Sequence, residues 1–354
     1  MLWDVFCRVI DNHGDIGVCW RLAAALAASG EHVRLRVDDA SALAWMAPGG
    51  AADVNVFEWG SQPGPGDVIV EAFGCELPQD FQALIARKAS NDGKQPRWIN
   101  LEYLTAESFA GRNHRLPSPV LSGPAAGLTK RFFYPGFTRD TGGLLREPGL
   151  IERQAAFDRG KWLAARRIPH EGEKLVSMFC YEPAAMGELV EQFASGPERV
   201  RMLVTAGRAT AAVRPVLGTK SSRGQLCVDY LPLMSQDEFD HLLWSCDFNF
   251  VRGEDSLVRA LWAAKPFVWQ LYPQDDDAHH VKLEAFMDWF DAPASLRDFH
   301  RAWNGLARPL PAFEDDAWHA TALAARERLL AQDDLATQLL RFVRQPANTS
   351  SEGR

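Results

Sequence analysis

Paired cysteines, a surplus of positive charge and a long apolar run are all missing from this sequence, and each absence removes a class of protein. The six cysteines stand singly at positions 7, 19, 75, 180, 227 and 246, with no C-x-x-C pair. Neither a zinc-ligand spacing nor a disulfide framework is present, so buried thiols are expected and no metal. Lys and Arg number 38 against 46 Asp and Glu, a formal charge of -8. Nucleic-acid binders draw most of their affinity from clustered cations, so neither DNA nor RNA is an expected partner. No apolar run approaches the roughly 20 residues that cross a bilayer. The opening segment, Met1 to Ile10, carries Asp4 and Arg8 and reads as a strand rather than a signal peptide. A cytoplasmic protein with no membrane partner is expected.

What is present is the composition of a globular protein: 354 residues, 47% hydrophobic and 24% charged, with 12 tryptophans. At roughly 150 residues per domain, two cores are expected. The rhythm of the chain puts them at 1–157 and 158–329, with a helix at 330–345 able to pack back on the first domain and 346–354 a mobile polar tail.

In the first half, apolar segments at 2–10, 32–37, 67–71 and 98–101 read as strands, and 18–29, ending at Gly30, reads as a helix. Prolines and glycines make 112–149 loop-rich, and 150–166 reads as a helix. Strands resume at 174–181, 200–206, 225–230, 247–251 and 266–271, and 333–344 is an amphipathic helix. Strands alternating with helices imply parallel sheets joined by right-handed crossovers. The fold class is therefore α/β, with two Rossmann-like domains facing across a cleft and ligands at the carboxyl ends of the strands.

Two strand-to-helix turns carry chemistry. The first is Asp11-Asn12-His13-Gly14-Asp15-Ile16-Gly17, followed by a helix carrying Arg21. A dinucleotide turn needs G-x-G-x-x-G and neutral donors for the pyrophosphate. This turn has another spacing and two carboxylates, which suit a cation or a proton-accepting role. The plainer reading makes one Asp a helix cap and leaves the other in solvent.

The second is Arg252-Gly253-Glu254-Asp255-Ser256, between a buried strand and a helix. Gly253 lets a diphosphate approach, Ser256 and the first amides donate, Arg252 supplies charge, and Glu254 accepts from sugar or ribose hydroxyls. An ordinary capped helix with a surface Arg252–Glu254 pair is the plainer alternative. Upstream, Phe179 and Tyr181 end a strand, and Ser235-Gln236-Asp237-Glu238 is a capping box opening a helix that carries Phe239. Such rings stack on pyrimidine bases and also fill cores. Asp275 to Asp277 before His279 and His280 read as acids serving a helix start rather than as a metal cluster.

The motifs Asp11-Asn12-x-Gly14-Asp15-Ile16-Gly17-Val18-x-Trp20-Arg21-Leu22 and Arg252-Gly253-Glu254-Asp255-Ser256, with Phe179-x-Tyr181, Gln236 and Phe239 between them, resemble the EarP family of protein-arginine rhamnosyltransferases. The resemblance covers nearly the whole chain. It implies a GT-B glycosyltransferase that transfers L-rhamnose, with inversion, from dTDP-β-L-rhamnose to an arginine of translation elongation factor P, without cofactor or metal. By position it makes Asp15 the base and Asp11 its partner, and assigns Glu254 to turnover. Asn12, Gly14 and Gly17 fall to the acceptor-side loop, and Phe179, Tyr181, Gln236, Phe239, Arg252, Gly253, Asp255 and Ser256 to the donor site. His13 departs from the pattern, standing where an aromatic residue is expected. The competing readings are a nucleotide-sugar epimerase or dehydrogenase and a non-catalytic adaptor that binds a translation factor.

Overall fold

A computed structural model describes residues 1–10, 13–60, 63–272, 278–314 and 316–345, apart from the side chains of 278 and 316. The chain divides into two compact units: one of residues 1–42, 49–148 and the chain from Gln332 on, the other of 43–48 and 149–331. Along the chain, the passage from the first unit to the second falls between Pro148 and Gly149.

The first unit is built on strands β1 (Leu2–Cys7), β2 (His32–Val37), β3 (Val54–Glu58), β4 (Val68–Ala72), β5 (Arg97–Leu101), β6 (Pro117–Pro119) and β7 (Thr129–Phe133), in the order β3-β2-β1-β4-β5-β7-β6. All pair in parallel except the edge strand β6. Two prolines are tolerated in β6 because an edge strand can lack ladder donors. Central strands covered on both faces bury nearly every side chain, and β1 follows this from Trp3 to Cys7.

Asp4, on β1, places a carboxylate inside that core. Asp4 is fully buried and accepts from Arg36 Nε (2.8 Å), Arg34 Nη2 (2.7 Å) and the Gly66 amide (2.8 Å). The two guanidinium groups also donate to the carbonyls of Gly64 and Pro63. A buried carboxylate is costly unless its oxygens are all engaged, and here the network also pins the segment that enters β4. A Cβ at Gly66 would stand 2.4 Å from the Leu2 carbonyl oxygen, so the close approach requires glycine.

The second unit repeats the architecture with β8 (Lys174–Met178), β9 (Val200–Val204), β10 (Ser222–Arg223), β11 (Leu226–Tyr230), β12 (Phe248–Arg252) and β13 (Phe267–Gln270), ordered β10-β11-β9-β8-β12-β13. Apart from the β10–β11 hairpin, the strands are parallel. In each sheet the order reverses beside the first strand, at β1/β4 and at β8/β12. The carboxyl ends there are where doubly wound sheets bind ligands.

Three local readings need correction. The helix expected over 150–166 is two helices, Leu150–Ala155 and Arg159–Ala165, and Asp158 caps the second by accepting from the Lys161 amide at 3.0 Å. The cap gives an orphan amide a partner that a continuous helix would not need. The segment 112–149 holds β6 and β7 as well as loops. The last helix is Leu335–Arg344, capped by Asp334, and it packs on the helix Gly14–Ala28. Five of the six cysteines are buried, Cys227 is half-buried, and all six are free thiols.

Candidate active site

In the first unit the helix after β1 begins at Gly14 and not at Val18, so Asp15 and Gly17 lie within its first turns rather than in a loop. Asp15 is 6% exposed, and its Oδ2 accepts from the Ile10 amide at 2.9 Å. The carboxylate therefore ties the chain leaving β1 to a helix start, where the dipole favours negative charge. His13 is the residue before the helix; its carbonyl accepts from Gly17, and its side chain makes no cap. Two turns along, the buried Arg21 donates to Glu147 Oε1 at 2.9 Å. Asp11 and Asn12 lie outside the described residues.

In the second unit β12 ends at Arg252, and the helix Gly253–Ala263 starts immediately, with Gly253 at φ +66°. That left-handed value is cheap only for glycine. Trp269 Nε1 donates to the Gly253 carbonyl at 2.7 Å. The Ser256 hydroxyl accepts from the Arg252 amide at 3.0 Å and donates to the Arg252 carbonyl. That hydroxyl thus also braces the turn's own backbone. The turn is held from both sides.

Arg252 Nη1 donates to the Cys180 carbonyl at 3.2 Å. Its guanidinium carbon lies 4.6 Å from the centroid of Phe179 and 4.5 Å from that of Tyr181. Phe179 meets Phe239 edge to face at 5.1 Å, and Tyr181 meets Tyr272 at 5.5 Å. Gln270 Oε1 accepts from the Tyr181 amide at 2.8 Å. The end of β8, the end of β12 and the helix Gln236–Ser245 thus bring Phe179, Tyr181, Phe239 and Arg252 into one cluster of rings around a cation. Ser235 caps that helix by accepting from the Glu238 amide at 3.3 Å, and Gln236 is its first residue.

Glu254 Oε1 accepts from Lys282 Nζ, a partner that the plainer sequence reading did not name. Asp255 is half-buried in the same first turn. Lys282, Trp269, Gln270 and Tyr272 were missed by the sequence reading. None forms a local motif with the residues it supports; Trp269 and Gln270 come from β13, Tyr272 from two residues beyond it, and Lys282 from the helix Ala278–Trp289. His279 is buried beside His280, while Asp275 to Asp277 lie outside the described residues. Among the described residues no group of three His, Cys, Asp or Glu is arranged to hold a metal, and no helix is long and apolar enough to cross a membrane.

The family described as Elongation-Factor P (EF-P) rhamnosyltransferase EarP matches residues 3–344. A protein-arginine rhamnosyltransferase of Pseudomonas putida is 42% identical over 97% of this chain and 98% of its own length. Its counterpart in Pseudomonas aeruginosa is 41% identical over 96% and 98%. A solved structure described as the basis for EarP-mediated arginine glycosylation of translation elongation factor EF-P has 32% identity and a TM-score of 0.67, covering 97% of this chain and 98% of that one. MurG of Acinetobacter baumannii, at 12% identity, a TM-score of 0.52 and coverage of 97% and 98%, is similar in fold alone. The two Rossmann-like units are those of a GT-B glycosyltransferase.

Proposed function

This chain belongs to the EarP family of elongation factor P rhamnosyltransferases, and from that premise we propose that it moves L-rhamnose from dTDP-β-L-rhamnose to an arginine of elongation factor P in the cytoplasm. The observation that carries the donor half is the Arg252 guanidinium held against the rings of Phe179 and Tyr181 beside the Gly253 turn. A cation fixed by rings and a carbonyl needs no reorganisation to meet a diphosphate. Phe179 and Phe239, both half-buried, offer ring surface to the thymine, with the buried Tyr181 backing Arg252; Gln236 and Asp255 offer polar contacts, and Glu254 accepts from hydroxyls of the sugar or ribose.

The acceptor half rests on Asp15. An arginine side chain has a pKa above about 12, so full deprotonation before reaction costs too much. Asp15, with Asp11, hydrogen-bonds the guanidinium and draws electron density onto one nitrogen. That nitrogen forms its bond to C1 as the bond from C1 to the diphosphate oxygen breaks. The proton passes to Asp15 and the electron pair leaves with dTDP, whose growing charge Arg252 offsets. A single displacement from the opposite face turns the β donor into an α-linked product. The residues supply binding, orientation and proton acceptance, and the proposal includes no metal and no cofactor.

Incubating the chain with dTDP-rhamnose and elongation factor P, then weighing the factor, tests this directly. A gain of one deoxyhexose on an arginine is expected. Asp15→Asn should keep its affinity for dTDP-rhamnose and lose transfer; transfer at the wild-type rate would remove Asp15 as the base. Thermal stabilisation by dTDP but not by NAD separates this reading from an epimerase or dehydrogenase.

A further inference from the structure

The first sheet carries a second feature at its carboxyl edge, on the strands beside β1. Phe73, the residue after β4, has φ +57°, and Gly74 follows at +68°. A left-handed conformation is unfavourable for a bulky residue and persists where the surroundings impose it, commonly at functional sites. Here the Phe73 amide donates to the Leu101 carbonyl at 2.7 Å, and the buried Phe73 ring stacks on Tyr103 with centroids 5.1 Å apart and planes 27° apart. Tyr103, two residues beyond β5, is 41% exposed.

Between β5 and Tyr103 lies Glu102, half-buried, with Asn100 Nδ2 donating to its Oε1 at 2.7 Å. Burial raises its pKa from the ordinary carboxylate value, against the pull of Asn100 and Lys130. β4 is the neighbour of β1, and β5 the neighbour of β4. Strands lie roughly 5 Å apart, so this edge is one to two strands from the one that leads to Asp15.

A flat ring on a rigid support with a carboxylate next to it in the chain is a surface that a guanidinium fits. Arginine stacks its planar group on aromatic faces and gives its N–H donors to carboxylates. We propose that Tyr103, backed by Phe73 and flanked by Glu102, is the platform on which the arginine-bearing loop of the acceptor protein docks, and so determines acceptor specificity. The inference rests on the reading of the first unit as the acceptor side. The strained backbone at Phe73 then has a purpose: it sets the ring beneath Tyr103, and an exposed tyrosine without backing would lose rotamer freedom on binding.

The test uses the full chain with elongation factor P as the probe. Tyr103→Ala should raise the KM for the factor and weaken factor binding without donor by roughly tenfold. Affinity for dTDP-rhamnose and kcat at saturating factor should stay the same. Tyr103→Trp should retain the wild-type KM, and Glu102→Gln should raise KM in the same direction as Tyr103→Ala. Tyr103→Ala with an unchanged KM, beside a wild type that transfers rhamnose, overturns the platform and leaves the function standing. A wild type that neither binds nor modifies the factor overturns both. Loss of dTDP-rhamnose affinity in Tyr103→Ala would show a structural role instead and also overturns the platform.

Discussion

Arg259 grips Asp240 through two parallel hydrogen bonds, Nε to Oδ1 at 2.8 Å and Nη2 to Oδ2 at 2.6 Å, with both side chains buried. The pair joins the helix that carries Gln236 and Phe239 to the helix that carries Glu254, Asp255 and Ser256. Two elements of the candidate donor site are therefore bolted together beneath the residues that would touch the nucleotide.

Removing one member of such a pair strands a buried charge, which costs about 3–5 kcal/mol, whereas replacing both by apolar groups is often neutral. Asp240→Ala should lose stability on that scale in urea denaturation. Asp240→Leu combined with Arg259→Met should recover most of it and still bind dTDP more weakly, because the fork that sets the spacing of the helices is gone. A single substitution costing less than about 1 kcal/mol would contradict this account.

Lys282 and Glu254, 21% and 19% exposed, form a part-buried pair that holds the Glu254 carboxylate at the start of its helix. Turnover is where the pair should tell. Lys282→Met is expected to lower kcat several-fold with a smaller change in KM, and Glu254→Gln to do the same. In steady-state kinetics the double variant should be no worse than the poorer single one, since both remove one arrangement. Additive losses would mean that the two side chains act separately.

Burial pushes the pKa of His300 from 6.5 down to about 4, against a hydrogen bond to the Leu296 carbonyl. Its Nε2 accepts from the Trp269 amide at 3.1 Å, which fixes the neutral ring with Nδ1 donating to Leu296. In the first unit His114 is likewise held at about 4, by burial and by Arg115, while its Nδ1 accepts from the Tyr134 amide. Each binds its proton more readily unfolded than folded. Their contribution is therefore complete above pH 6.5 and is lost as pH falls toward about 4, worth on the order of 3 kcal/mol for His300. Melting temperature should drop across that window, and His300→Gln should flatten the drop. An unchanged slope in His300→Gln would exclude it as a source.

Much of the fold was legible because parallel strands covered on both faces read as short apolar runs wherever they fall. β2 was read at its true limits of 32 and 37. Element ends were read less well. The helix before Val18 was missed because glycines at 14 and 17 suggest a turn, yet Asp15 and the dipole stabilise a helix there. The Ser235 cap was legible because its partner lies three residues away. The bond of the Ser256 hydroxyl back to Arg252 is equally local, spanning four residues.

What sequence alone determined are the features that neighbours decide: α/β periodicity, the glycine at position 253, the caps, and the two motif groups carrying the family resemblance. Tertiary structure alone decided that Glu254 meets Lys282, that Arg252 lies against Phe179 and Tyr181, and that Phe73 supports Tyr103. The physical reason is range. A cap or a turn is settled by groups a few residues apart, but an ion pair spanning 28 positions or a ring stack across two strands exists only once the strand order has brought distant segments together.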